Sequence, residues 1–306
     1  MNEYVIMTDS ACDMSPALLA EWGVPFKSLT FRFDGSDQEY TDQDVPAAEF
    51  YAKMREGGVA KTSAVNSETF LSLFEEALKE GKDVLYLGFS SGLSTTFNSA
   101  RLASLELKER YPDRTIRVVD TLAASAGFGL LVYLAVEKKK GGATLEEVAA
   151  YIEEIKWKLC LWFTVDDLVY LKRGGRISST AAFVGNVLGI KPVLHMDNEG
   201  HLINMLKVRG RKTAVATLAD RGCHPGRPVR QACRGSCRRH GLHFARRLHE
   251  RRGGAEEPAL QPLWRIGSDR DQRRPRYRRT RRPRNARTVL YRQREISVDG
   301  CHRFVR

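Results

Sequence analysis

Lysine is missing from the last 86 residues of this 306-residue chain: all 15 lysines lie before position 221, while the segment beyond it holds 25 arginines. Residues 1–220 carry 25 Lys and Arg against 30 Asp and Glu, a net −5, and residues 221–306 carry 25 against 7, a net +18, which together give the chain's +13. The overall charge describes neither part, so a nucleic-acid or membrane partner cannot be inferred from it for the first 220 residues. Cysteine is scarce there too. Of six cysteines only Cys12 and Cys160 precede position 221, which excludes a disulfide framework. No apolar run approaches the roughly 20 residues of a membrane span. The start, MNEYVIMTDS, lacks the basic and long apolar regions of a signal peptide, and a cytoplasmic protein is expected. Neither G-x-G-x-x-G nor G-x-x-x-x-G-K-[ST] occurs in the first 220 residues, and no Cys/His spacing there suits zinc, so neither a metal nor a cofactor is expected.

What is present is alternation. Val5–Thr8 reads as a strand, and Ser15-Pro16 supplies an N-cap and an N1 proline for a helix through Trp22. The unit recurs: Asp83–Phe89 precedes a helix from about Ser94 to Tyr111, and Thr115–Val119 precedes a helix through Lys140. Phe26–Phe33 reads as a further strand, and Ser67-Glu68 opens an amphipathic helix through Lys79 with Phe70, Leu73, Phe74, Ala77 and Leu78 on one stripe. Such alternation predicts an α/β protein with a parallel sheet covered on both faces. Gly141-Gly142 marks a break, after which Thr144 caps a helix to Lys158. A strand over Leu159–Val165, a short helix over Ser178–Leu188, a hairpin of Lys191–Met196 and Leu202–Val208, and a helix from Arg211 to Leu218 complete the second unit.

Two hydroxyl-rich segments precede helices: Lys61-Thr62-Ser63-Ala64-Val65-Asn66-Ser67 and Gly88-Phe89-Ser90-Ser91-Gly92-Leu93-Ser94-Thr95-Thr96. At the carboxyl end of a parallel strand, a helix N-terminus offers unpaired N–H groups and a positive dipole end, which hydroxyls extend into an anion site without a basic side chain. Both segments also read as plain N-caps. The second contains G-x-S-x-G, so Ser90 is a candidate nucleophile of an α/β-hydrolase, with Asp120 or Asp166 and His195 or His201 as partners. The oxyanion loop and preceding strands of that fold are missing. Lys172-Arg173-Gly174-Gly175-Arg176 is a basic turn suited to an anionic head group or an acidic partner surface, or to solvent alone.

In order and spacing, TDSACDMS, KTSAVNSETF, GFSSGLSTTFNSA, VVDT and LVYLKRGGRISS resemble the DegV family of bacterial fatty-acid-binding proteins. The resemblance implies a two-domain fold with residues 1–142 as an N-terminal α/β domain, residues 143–220 as the start of a second α/β domain that is incomplete here, and a long-chain fatty acid held between them. Its carboxylate would meet hydroxyls that match Thr62 and Ser94, with Ser63, Ser91, Gly92 and Thr95 beside them and Arg173 and Arg176 as head-group or partner contacts; the acyl tail would lie in an apolar tunnel. Family members often carry Gly where this chain has Thr95. The resemblance further implies a carrier, not an enzyme, that presents the fatty acid to a fatty-acid kinase.

Residues 221–306 fit none of this. They can be read as an arginine-rich polyanion-binding segment, as a zinc site from Cys223, His224, Cys233 and Cys237, or as translation in a shifted frame. The C-x9-C-x3-C spacing fits no common zinc set. Dropping the first base from the codons of Arg278–Ile296 permits G-A-H-A-G-P-G-T-L-A-L-F-Y-I-G-K-E-R and then a stop, and the same operation on Leu242–Glu250 and beyond permits I-S-H-A-D-C-M-N-D-A-E. Both strings resemble the C-terminal part of DegV proteins. A slip near Arg221 is therefore expected, with a disordered arginine-rich tail and no specific nucleic-acid partner. Read one base later from near codon 221, the DNA is expected to stay open to a stop at about codon 296; sequencing across the codons for residues 215–230 checks this, and an early stop in the shifted frame overturns it.

Overall fold

The computed structural model describes residues 3–178 and 189–223. Strand β1 (Tyr4–Asp9) is followed by helix α1 (Pro16–Trp22), whose cap Ser15 accepts a hydrogen bond from the Leu18 N–H at 3.3 Å. β2 (Phe26–Lys27), α3 (Ser67–Lys79), β6 (Asp83–Gly88), α4 (Thr96–Arg110), β7 (Ile116–Asp120) and α5 (Ser125–Lys140) continue the first unit. Its parallel sheet has the order β2-β1-β6-β7, and the α/β expectation is met. Alternating residues of each strand feed two cores. Ile6, Leu85, Leu87 and Val119 pack with α1, α5 and α6 (Leu145–Ile155) on one face, whereas Met7, Val84, Tyr86 and Ile116 pack with α3 and α4 on the other. Helix α5 is buried continuously from Ala126 to Val136 because α6 covers the side that faces away from the sheet.

Between β2 and α3 the chain leaves this sheet. β3 (Thr30–Phe33), β4 (Tyr40–Thr41) and β5 (Ala60–Ser63) form a small antiparallel sheet in the order β4-β3-β5, with α2 (Ala47–Arg55) beside it. Phe31, Phe33, Tyr40 and Phe50 hold it together, with ring centroids 4.8–5.7 Å apart. Phe26–Phe33, expected as one strand, is thus two strands in two sheets, parted where the Ser10 hydroxyl captures the Leu29 N–H at 3.1 Å. The segment from Lys61 opens as edge strand β5 and becomes a turn only after Ser63.

The second unit is a three-stranded antiparallel sheet, β10-β9-β8, formed by β8 (Trp162–Phe163), β9 (Ile190–Met196) and β10 (Leu202–Arg209), with α7 (Val169–Arg173) and α8 (Arg211–Cys223). The strand expected over Leu159–Val165 shrinks to two residues, and α6 ends at Ile155 in a single 3-10 turn, Lys156–Lys158. Its cores are small: Cys160, Trp162, Val193, Ala214 and Leu218 on one face, and Phe163, Leu168, Ile177 and Leu194 on the other. The helix expected over Ser178–Leu188, and the tail with His224, Cys233 and Cys237, lie outside the described residues apart from Ser178.

The two units meet where the β9–β10 turn rests on the segment after β6. The Ser90 hydroxyl donates to the Gly200 carbonyl at 2.9 Å, and a Cβ on Gly92 would lie 2.5 Å from the Glu199 carbonyl oxygen and 2.9 Å from the Gly200 backbone. Backbone cannot yield as a flexible side chain does. Gly92→Ala is therefore expected to destabilise the protein by about 1–3 kcal/mol in urea unfolding, against no measurable change for Ser91→Ala.

Candidate functional site

The carboxyl ends of β1, β6 and β7 share one edge of the parallel sheet, and the N-terminus of α4 opens onto it because α4 runs antiparallel to the strands it connects. Helix α3 packs beside α4 and leads into β6 in the same sense, so its N-terminus opens there as well. The turn between β6 and α4 is dense with internal bonds. The Phe89 N–H donates to Asp9 Oδ2 at 2.9 Å, the Ser91 N–H to Asp120 Oδ1 at 3.3 Å, and the Leu93 and Ser94 N–H groups to the Ser90 carbonyl at 3.0 and 3.2 Å. The Thr96 N–H reaches Ser94 Oγ at 3.2 Å. What remains open is the first turn of α4: the N–H groups of Thr95, Phe97 and Asn98 take no partner among the described residues, and that turn holds no acidic residue. Such a helix start favours an anion.

Ser94 is buried, 2.9 Å from the Thr96 hydroxyl; when Thr96 donates in that pair, the Ser94 proton is left for a ligand. Ser91 and Thr95 are exposed, and Gly92 is half-buried. Thr62 and Ser63 are exposed on β5, where Thr62 pairs with Phe31, and the chain passes from them through buried Val65 to the α3 cap, Asn66, which accepts from the Thr69 N–H at 2.8 Å. Arg176 reaches the same turn from the second unit: its Nε donates to the Leu93 carbonyl at 3.0 Å, and it also bonds the Gly174 carbonyl. Arg173 instead lies over the Tyr170 ring at 5.8 Å, in solvent.

Ser90 does not stand as a hydrolase nucleophile. It is fully buried, its hydroxyl donates to Gly200 and accepts from the Gly92 N–H, and neither histidine of the candidate triad is its partner: His195 packs on Trp162 and His201 lies exposed beside Asp197. Among the described residues no group of three or more His, Cys, Asp or Glu is placed to hold a metal, and no helix is long and apolar enough to cross a membrane.

Sequence reasoning missed that Asp9 and Asp120 hold the turn from behind, Asp120 having been offered only as a triad acid. Asp9 is fully buried; it accepts from the Tyr86 hydroxyl at 2.7 Å, the Phe89 N–H at 2.9 Å and the Ala11 N–H at 3.0 Å. Burial outweighs these bonds and pushes its carboxyl up to about 6. Asp120 holds the N–H groups of Ser91 and Leu122. Around the same edge Asp13, Leu122 and Ser125 adopt left-handed backbone, φ 54°, 49° and 52°, a conformation that costs a non-glycine residue roughly 1–2 kcal/mol. The only trace in the sequence is an aspartate at the end of a strand, a common pattern.

A family model described as uncharacterised protein, DegV family, matches residues 3–230. A DegV domain-containing protein of Clostridium perfringens is 46% identical over 219 residues, covering 71% of this chain and 75% of the relative. Among solved structures, a stearic-acid-binding protein from Eubacterium ventriosum aligns at a TM-score of 0.65 with 30% identity, over 71% of this chain and 76% of its own. A fatty-acid-binding DegV family protein from Thermus thermophilus aligns at 0.62 with 37% identity, over 70% and 74%.

A carboxyl raised by folding binds its proton more tightly in the native state, so its contribution to stability falls as pH rises from its unfolded value near 4 to about 6. Urea unfolding between pH 4 and 7 is expected to show this as a difference: relative to Asp9→Asn, the wild type loses stability across that window, by on the order of 2 kcal/mol. Parallel curves for the two proteins would show that Asp9 does not titrate there.

Proposed function

Because the chain belongs to the DegV family, we propose that it is a lipid-binding carrier that holds a long-chain fatty acid between its two units and presents the carboxylate to a fatty-acid kinase in the cytoplasm. The observation that carries this reading is the opening of α4, where unbonded N–H groups stand next to Ser94 and Thr95 with no acid in the first turn. Thr62 and Ser94 are the principal ligands of the carboxylate, supported by Ser63, Ser91, Gly92 and Thr95, with Arg176 and Arg173 toward the head group or the partner. The exposure of Ser91, Thr95, Thr62 and Ser63 favours presentation: a carboxylate bound there would face solvent, where another enzyme can reach it. The fatty acids named for the Eubacterium and Thermus proteins support the ligand class. The chain itself supplies no chemistry in this reading and needs no cofactor.

The same reading makes this 306-residue product an impaired member. About a quarter of the Clostridium relative lies outside its match to this chain, and the family model stops at residue 230, close to the slip expected at Arg221. Translation in the shifted frame would supply the rest of the second unit, and the arginine-rich tail would bind polyanions only through charge, with a steep salt dependence.

A frame-corrected protein is expected to co-purify with fatty acid. Combined Thr62→Ala and Ser94→Ala should remove two hydrogen bonds to a charged group, each on the order of 1.5–3 kcal/mol, and so weaken binding by at least a hundredfold. Lipid extraction with mass spectrometry and probe displacement measure both. Retention of full affinity by the double variant, or ester hydrolysis abolished by Ser90→Ala, overturns the proposal.

A further inference from the structure

Lys156 is a buried cation that the lipid site does not use. Only 7% of its side chain is exposed, and its ammonium group donates to the main-chain carbonyl of Asp120 at 2.8 Å while pairing with Glu153 at 2.6 Å. Lysine is seldom buried unless its charge is matched. Glu153, one turn back on α6, matches the charge, and the carbonyl bond ties the segment after α6 to the end of β7 at Asp120. From Asp120 the connection continues into the head-group turn, since one carboxylate oxygen accepts from both the Ser91 N–H at 3.3 Å and the Leu122 N–H at 3.0 Å. The second bond closes a side-chain turn that accommodates Leu122 at φ 49°. Leu122 in turn abuts Gly200, whose carbonyl takes the Ser90 hydroxyl, and the contacts return to the same turn.

We infer that Lys156 and Asp120 are positioning residues for the head-group site: Lys156 fixes the end of β7 through the Asp120 carbonyl, and the Asp120 carboxylate fixes the Ser91–Thr95 segment that presents the hydroxyls and open N–H groups. The inference rests on the proposed fatty-acid reading for its ligand, but the linkage itself exists in the empty protein.

The test uses the full 306-residue chain and its Lys156→Met, Lys156→Arg, Asp120→Ala and Asp120→Asn variants. Without ligand, Lys156→Met and Asp120→Ala are expected to speed amide hydrogen exchange at Ser91 and Leu122 about tenfold, with the amides of α3 unchanged; Lys156→Arg and Asp120→Asn, which keep a donor and an acceptor, restore protection. With ligand, the two disruptive variants should weaken palmitate about tenfold while leaving cetyl alcohol, which has the same tail and no charge, unaffected. Unchanged exchange at Ser91, or equal losses for acid and alcohol, overturns the inference. Should the wild-type chain bind no palmitate, as expected of an impaired product, exchange at Ser91 and Leu122 decides the linkage by itself: unchanged exchange overturns it whatever the ligand.

Discussion

The carboxylate of Asp9 is buried where β1 stops, and the shape of the functional edge follows from satisfying it. An isolated charge at that depth would be costly, so the surrounding chain supplies donors: the hydroxyl of Tyr86, the N–H of Ala11 and the N–H of Phe89, each within 3.0 Å. The first of these anchors the side chain around which Phe70 and Phe74 pack, the second sets the 3-10 turn after β1, and the third fixes how the chain leaves β6. One buried group thereby ties the α3/α4 core to the start of the Ser90–Thr95 turn. Burial outweighs these donors and raises the carboxyl to about 6, in keeping with a group held for geometry.

A second constraint comes from the other unit. The β9–β10 turn approaches so closely that Gly92 and Gly200 leave no room for a Cβ, and Ser90 is turned inward to bond it. The residue that looks most reactive in the sequence is thus a fastener, and the hydroxyls that face outward belong to its neighbours. Among the described residues the apolar clusters of the second unit hold five and four buried residues, a small share of what the first unit buries, and β8 and β10 form the two ends of the described sheet.

Elements with strong local signals were legible. α1 declared itself by Ser15-Pro16, α3 by its stripe from Phe70 to Leu78, and β9 and β10 by apolar runs around Asp197-Asn198-Glu199-Gly200. Elements whose stability is tertiary were not. β5 reads Ala-Lys-Thr-Ser, without an apolar alternation, because it is an exposed edge paired only to β3, and α2 buries no residue fully. The division of Phe26–Phe33 depends on a Ser10–Leu29 bond that no local pattern encodes. The same holds at the site. The hydroxyl clusters were visible as clusters, but Asp9, Asp120 and Lys156 act through partners some 30 to 80 positions away in sequence.

Those acidic partners also constrain what the edge can hold. Asp9 and Asp120 take the N–H groups of Phe89 and Ser91, which in a phosphate-cradling loop would point at the ligand, and they leave negative charge behind the turn. A doubly charged phosphate would lose donors and gain repulsion there. In the proposed reading a singly charged carboxylate needs fewer donors, and the open N–H groups of α4 and the hydroxyl of Ser94 would supply them, with Arg176 held beside them on the Leu93 carbonyl. Hydroxyls in place of lysines would keep such a site only weakly positive, which suits the proposed ligand, whose remaining surface is apolar: binding would then rest on the tail, and the head group would select by charge and geometry.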